Sequence, residues 1–282
     1  MASTPRIIHQ TWKSAEIPEK YKAYVDSVKN FNPDFEYRLW TDSDIDTYVK
    51  NTVPQYYETY CGFASHIERV DFVRYVILYY IGGCYLDLDV QCLQSLAPLT
   101  DKNKIVLGYE CSEHYFFNGG KPIVNNAVMI SPPGQQFWAD FTQYIIHHYS
   151  IKWYQNAVFR TGPVALTNFV ASRSDTQKQQ DEVEILSSCA FMPMSDYYNN
   201  RVVDGHPSIS ADCADLKDSY CIHKWSHAWV PVPFHIFQNK HFLMRLVFTL
   251  IVCAFFLYVC YLVSKSLTVS YKSPTRYSTT YV

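Results

Sequence analysis

Glycine is scarce in this chain, nine among 282 residues, and four of the nine stand in two doublets at 82–83 and 119–120. Such economy excludes glycine-rich linkers and makes each doublet a specific turn signal. Charge of one sign is lacking as well: 24 Lys+Arg against 26 Asp+Glu leave a net of -2. Nothing in that balance suggests a polyanionic partner, so no nucleic-acid partner is expected. There is no Cys-x-x-Cys pair among the nine cysteines, and setting aside Cys253 and Cys260, which lie in an apolar run, leaves an odd number. The pattern argues against a disulfide framework. The N-terminus, MASTPRIIHQTWK, lacks the apolar core of a signal peptide, because Arg6 and Lys13 bracket only a short hydrophobic patch. No Asn-x-Ser/Thr sequon occurs. What is abundant is apolar and aromatic: 48% hydrophobic residues, with 24 Tyr, 17 Phe and 6 Trp. This is enough for a sizeable core, and rings of this kind also suit membrane interfaces and the faces of bases and sugars.

From Leu246 to Ser264 (LVFTLIVCAFFLYVCYLVS) no residue is charged. About twenty apolar residues span a bilayer as a helix, so the expectation is one transmembrane helix over 241–265. A polar tail over 266–282 follows, expected to be disordered. The protein thus reads as a single-pass, tail-anchored membrane protein; basic residues flank the run on both sides (Lys240, Arg245; Lys265, Lys272), which leaves orientation open. Residues 1–240 show no internal repeat and form one expected catalytic domain, with a surface loop at 172–182. Within it, strands are expected at 6–11, 35–41, 104–110 and 126–131, and helices at 20–30, 64–81 and 135–148. Strands separated by helices predict an α/β fold with mainly parallel neighbours.

The segment GGCYLDLDV (82–90) reads as a strand that carries two acids. Strand alternation would put Tyr85, Asp87 and Asp89 on one face and Cys84, Leu86, Leu88 and Val90 on the other. Two close carboxylates repel and are costly to bury unpaired, so an exposed crevice or a bound cation is the expected resolution. Oxygen ligands of this kind suit Mg²⁺ or Mn²⁺ and leave positions for substrate phosphates. Upstream, HIERVDFVRYVILYYI reads as an amphipathic helix with Asp71 and Arg74 at i and i+3 on one face, and Gly82-Gly83 turns the chain from that helix into the strand.

The stretch ASHIERVDFVRYVILYYIGGCYLDLDV resembles the core motif of glycosyltransferase family 32, which includes inositol phosphoceramide mannosyltransferases and yeast-type initiating α-mannosyltransferases. PRIIHQTWK, NPDFEYRLWTDSD, NNAVMISPPGQQFW, TGP (161–163) and HKWSHAW (223–229) follow the order seen in that family. The resemblance implies a GT-A fold, a Rossmann-like α/β domain for a nucleotide sugar, and a retaining hexosyltransferase that moves mannose from GDP-mannose, or a sugar from a UDP donor, to a lipid or glycan acceptor. Endomembrane localisation follows from the same likeness. By position, Asp89 would ligate Mn²⁺ or Mg²⁺, and Asp87 would bind ribose and sugar hydroxyls or ligate through water. Asp71 and Arg74 would hold the donor sugar and phosphate. His9, Gln10, Thr11 and Trp12 would line the nucleotide, with Trp12 either stacking on the base or filling the core, and His223 would be a late metal or diphosphate contact. The usual family ending is altered here to His-Ala-Trp, which affects the roles of Ser226, His227 and Trp229.

Other readings compete. A zinc set of Cys213, Cys221, His223 and His227 lacks a standard spacing. An EF-hand loop from Asp87 would place Cys92 where glycine belongs and Pro98 where glutamate belongs. A dehalogenase-type phosphatase would need Thr or Val where this chain has Gln91. A toxin-like protein glycosyltransferase, or a membrane-anchored sugar-nucleotide binder without activity, are the remaining alternatives.

Overall fold

A computed structural model describes residues 2–151, 156–174, 176–177, 182–195, 209–226, 250–260 and 262. Its chain divides into two units, Met1–Ser226 and His227–Val282. The domain boundary expected near residue 240 lies outside the described residues.

The first unit is built on a six-stranded sheet. In chain order its elements begin with β1 (Ile7–Trp12), α1 (Glu19–Phe31), β2 (Glu36–Thr41), α2 (Asp42–Asn51), α3 (Tyr57–Gly62) and α4 (His66–Tyr80). Next come β3 (Gly83–Leu86), β4 (Val90–Cys92), α5 (Ala97–Thr100), β5 (Ile105–Tyr109), β6 (Val124–Ser131) and α6 (Gln136–His148). The unit continues with α7 (Ala157–Arg160), α8 (Pro163–Ser172), β7 (Val183–Leu186), α9 (Ser188–Phe191) and β8 (Cys221–His223). The sheet order is β2-β1-β3-β6-β5-β7, and β4 and β8 form a separate two-stranded ribbon. Parallel pairing joins β1 to β2 and β3, and β5 to β7, whereas β6 runs antiparallel to both β3 and β5. The sheet is therefore mixed, with a parallel half carrying the N-terminal strands.

Alternation along the strands divides the core into two layers. Tyr85, Ile105, Leu107 and Met129 pack on one face with α4, α6 and α8, where Trp138 is wholly enclosed. Ile8, Cys84, Leu86, Val106 and Ile130 pack on the other with Val28, Phe191 and Cys221. Each such large side chain removed from water contributes about 1.5–3 kcal/mol.

Helix α4 starts later than the periodicity suggests because Ser65 and Glu68 form a capping box, with the Ser65 N–H donating to Glu68 at 2.9 Å. It is not amphipathic. Residues 70–78 are buried all round, Asp71 and Arg74 included, because the sheet covers one side and neighbouring helices the other. Its end is as expected: the Gly82 N–H bonds to the carbonyls of Ile77 and Leu78, with φ at +73°. Gly83 has φ +100°, and a Cβ there would meet the Ile7 carbonyl at 2.5 Å, so the doublet is required for β3 to lie against β1.

One further expectation is corrected. Cys189 and Cys213 form a disulfide with a Cα–Cα separation of 5.5 Å. An odd count argues only against complete pairing, and a single cross-link escapes it. The bond also removes Cys213 from the zinc set; Cys221 is buried with its Sγ 3.7 Å from that of Cys92, and His227 lies outside the described residues. Of the apolar run 246–264, residues 250–260 and 262 are helical with exposed side chains, Phe255, Phe256 and Leu257 among them. Among the described residues no helix is long and apolar enough to cross a membrane, and the rest of the run lies outside them.

Candidate functional site

The two acids meet through a turn rather than through strand alternation. Strand β3 stops at Leu86, and the Asp87 carbonyl accepts from the Val90 N–H at 3.1 Å, closing a tight turn over 87–90 before β4 begins. Leu88 goes into a small cluster with Tyr21 and Val25. Gln10, at the end of β1, holds this turn from below: its Nε2 donates to the Asp87 carbonyl at 3.0 Å and its Oε1 accepts from Tyr37 at 2.9 Å. The ribbon of β4 and β8 then pairs Val90 with His223 and so delivers the imidazole to the turn. Ligand atoms of Asp87, Asp89 and His223 all lie within 4.8 Å of one another.

Each acid is prepared differently. Asp89 is 8% exposed, and its Oδ1 lies 3.1 Å from His223 Nε2 while its Oδ2 accepts the Ser226 N–H at 2.8 Å. Burial alone would raise its pKa, but the His223 charge and these hydrogen bonds outweigh that and hold the carboxylate well below the usual range. His223 is the mirror case: burial lowers its pKa, yet Asp89, followed by Asp87 and Glu110, brings the net shift upward. Asp87 keeps a 28% exposed side chain. Its pKa is raised by desolvation and by the Asp89 charge, against the pull of Arg74.

Behind Asp87 stands a buried polar ladder. Arg74 Nη1 donates to Asp87 Oδ1 and to the Asn126 carbonyl, Nη2 pairs with Asp71 at 3.0 Å, and the guanidinium lies over the Tyr85 ring. Asp71 also accepts from Thr161 at 2.9 Å and from Asn126 at 3.2 Å, and burial pushes its pKa up to about 6 despite Arg74. Tyr85 donates to Asp87 Oδ1 and lies 3.0 Å from the Thr11 hydroxyl. Asp71 and Arg74, expected to hold the donor sugar and phosphate, are thus buried and support Asp87, while the Arg74 Nε keeps no partner.

Two of the four residues expected to line the nucleotide at the end of β1 are buried within the scaffold. His9 is wholly buried, with Nε2 donating to the Gly82 carbonyl at 2.9 Å and Nδ1 accepting from Trp40 at 3.0 Å. Burial lowers its pKa to about 4, so the ring is neutral and serves the scaffold. Gln10 is enclosed as well and acts on the turn. Thr11 and Trp12 are half-buried; Trp12 packs edge-on against Tyr21 and stays at the rim. Tyr85, Asn126, Thr161 and Ser226 were not assigned roles from the sequence. The first was recoverable, since alternation already placed it beside Asp87. The others lie in quoted segments whose spatial convergence no spacing reveals.

Two carboxylates and an imidazole suit a divalent cation of the Mn²⁺ type, hard enough for oxygen and tolerant of nitrogen. The fit has a second sign: buried His223 Nδ1 has no hydrogen-bond partner, which a dry polar atom seldom tolerates. Together these residues form a candidate cation site at the carboxyl end of parallel strands, the usual place for a ligand in an α/β sheet. Residues 18–106 match the model of the family described as the glycosyltransferase sugar-binding region containing the DXD motif, in keeping with the sequence resemblance. Inositol phosphoceramide mannosyltransferase 3 of Schizosaccharomyces pombe is 48% identical over 35% of this chain and 28% of its own length. Mannosyl phosphorylinositol ceramide synthase CSH1 of Saccharomyces cerevisiae is 34% identical over 58% of this chain and 41% of its own. The chain therefore spans less than half the length of either relative. Among solved structures, PaToxG glycosyltransferase superposes with a TM-score of 0.47 and 15% identity over 64% of this chain and 74% of that one, too low to argue from.

Proposed function

We propose that the chain is a metal-dependent, retaining glycosyltransferase of GT-A type that moves mannose from GDP-mannose to the head group of an inositol phosphoceramide lipid. The observation that carries this reading is the convergence of Asp87, Asp89 and His223 on one point. These three residues would hold Mn²⁺ or Mg²⁺, which when bound supplies positive charge to the departing diphosphate. Asp87, kept in place by Arg74, Tyr85 and Gln10, is the exposed acid that meets donor hydroxyls. Trp12 at the rim offers an aromatic face for the base. No side chain need act as nucleophile, because the departing diphosphate can accept the acceptor's proton on the same face of the sugar.

The lipid acceptor draws support from the names of the two relatives, and from the described part of the 246–264 run, which presents only apolar and uncharged side chains on an exposed helix. We assign residues 1–240 to catalysis, 241–265 to a membrane span and 266–282 to a polar tail, in an endomembrane setting. The test is mannose transfer from GDP-mannose to inositol phosphoceramide in detergent, with Mn²⁺ or with chelator. Metal-dependent product is expected. Turnover of UDP-hexoses onto protein instead would replace this reading with the toxin-like one, and turnover of neither would leave a binding protein.

A further inference from the structure

Trp225 has a backbone φ of +50°, in the left-handed region that a bulky side chain enters at a cost of about 1–2 kcal/mol. Something must hold it there. Its indole N–H donates to the Met194 carbonyl at 2.8 Å, and its ring meets two histidines edge-on: His114 at 4.4 Å and His223 at 4.3 Å between centroids. His114 is itself tethered, with Nδ1 2.8 Å from Glu110 Oε2, and the other Glu110 oxygen accepts from Asn125 at 3.1 Å. Glu110, His114 and Asn125 are all buried.

The left-handed turn has a visible consequence on either side of it. The Lys224 N–H donates to the Asp89 carbonyl at 3.0 Å, and the Ser226 N–H donates to Asp89 Oδ2 at 2.8 Å. Two amides that flank Trp225 therefore converge on the same aspartate, while the indole itself abuts the imidazole that pairs with that aspartate. An extended conformation at residue 225 would aim one of these amides elsewhere.

We propose that Trp225, clamped through His114 and Glu110, is the positioning residue that sets Asp89 and His223 for the cation. The proposal rests on the cation site assigned above and adds to it a second tier of residues to which no spacing in the sequence pointed. Trp225 touches neither cation nor donor in this role; it acts through the two ligands.

The test is Mn²⁺ affinity of the full chain without donor, followed by the electron paramagnetic resonance of free Mn²⁺. Residues that orient metal ligands typically change affinity by roughly 10–100-fold, so Trp225→Leu is expected to weaken binding by about that factor and His114→Leu by about tenfold. Trp225→Phe, which keeps a ring against both histidines, is expected to return to within about threefold of the wild type, a recovery that loss of bulk alone would not predict. Arg160→Met, which disturbs a buried pair remote from the turn, is the control for general destabilisation and should bind Mn²⁺ normally. Folded Trp225→Leu binding within about twofold of wild type overturns the proposal, as does Trp225→Phe binding no better than Trp225→Leu. Should Trp225→Leu not fold, His114→Leu decides by the same twofold criterion. Asp89→Ala is run beside them. Unchanged Mn²⁺ binding there overturns the cation site itself, whereas its loss together with intact binding by Trp225→Leu overturns only the role of Trp225.

Discussion

Helix α4 buries two groups of charge one turn apart, and they differ in where their hydrogen bonds lead. Glu68, with a fully buried side chain, receives the Ser65 N–H, the Tyr149 hydroxyl and the Arg160 guanidinium, and the network closes there. Asp71 and Arg74 are almost as buried, but their chain of bonds continues to Asp87, whose side chain is partly open to solvent, and on to the cluster with Asp89 and His223. Burial of charge is therefore no mark of function in this protein. What separates the groups is that one is satisfied within the scaffold and the other ends on an acid that repels its neighbour and faces outward.

The strongest way to break this contrast is at its open end. Asp89→Ala should lower the proposed mannose transfer on the order of 10³-fold, the scale seen when a main electrostatic contact to developing charge is lost. The thermal midpoint should fall as well, because Asp89 is buried and its loss leaves buried His223 without its partner. Turnover near the wild-type rate in steady-state assays would end the catalytic reading of the open network.

Next come the two arginines. Arg74→Met and Arg160→Met each leave a buried carboxylate without its cation, and each should destabilise the fold by about 3–5 kcal/mol in urea titrations. Only Arg74→Met should also depress turnover per folded molecule, since only Arg74 reaches Asp87. Equal activities in the two folded variants would erase the distinction between the networks.

His9 adds a proton to the comparison. Its folded pKa of about 4 lies below the unfolded value near 6.5, so the unfolded chain takes up the proton first as pH falls. Stability held above pH 6.5 is lost progressively toward pH 4, by up to about 3 kcal/mol. His9→Gln keeps a donor and an acceptor without titrating, so the difference between the two pH profiles should flatten in the variant. Identical slopes would mean that the ring is not held neutral.

The smallest effect is expected at Tyr85. Tyr85→Phe removes one hydrogen bond to Asp87 and should cost about 1 kcal/mol of stability, with a loss of roughly tenfold in Mn²⁺ affinity. Calorimetric metal titration measures the second value, and an unchanged affinity would confine the tyrosine to packing.

Much of the scaffold was legible because local rules produce it. The span of α6 and the strands β1, β2, β5 and β6 follow the periodicity of the chain, and the glycine doublet ends α4 where a left-handed turn is required. The site was legible in its acids and less so in its geometry. Asp87 and Asp89 were expected to share a strand face, whereas a turn brings them together, with Gln10 Nε2 and the Val90 N–H both donating to the Asp87 carbonyl. His9 and Arg74 looked available for ligands because their residue types commonly bind them. In the fold His9 is wholly buried and bonded to Gly82 and Trp40, a fact that sequence spacing does not encode.

By itself the sequence determined that two acids would follow a glycine-turned helix bearing Asp71 and Arg74, since spacing and turn chemistry are local. Tertiary structure decided which of these groups face outward. It set His223 opposite Val90, 133 residues away in the chain, across a ribbon in the register Asp89 needs, and it lodged Trp225 between two histidines. Contacts between residues so distant in the chain depend on how the sheet and ribbon pack, and that packing is a property of the whole unit.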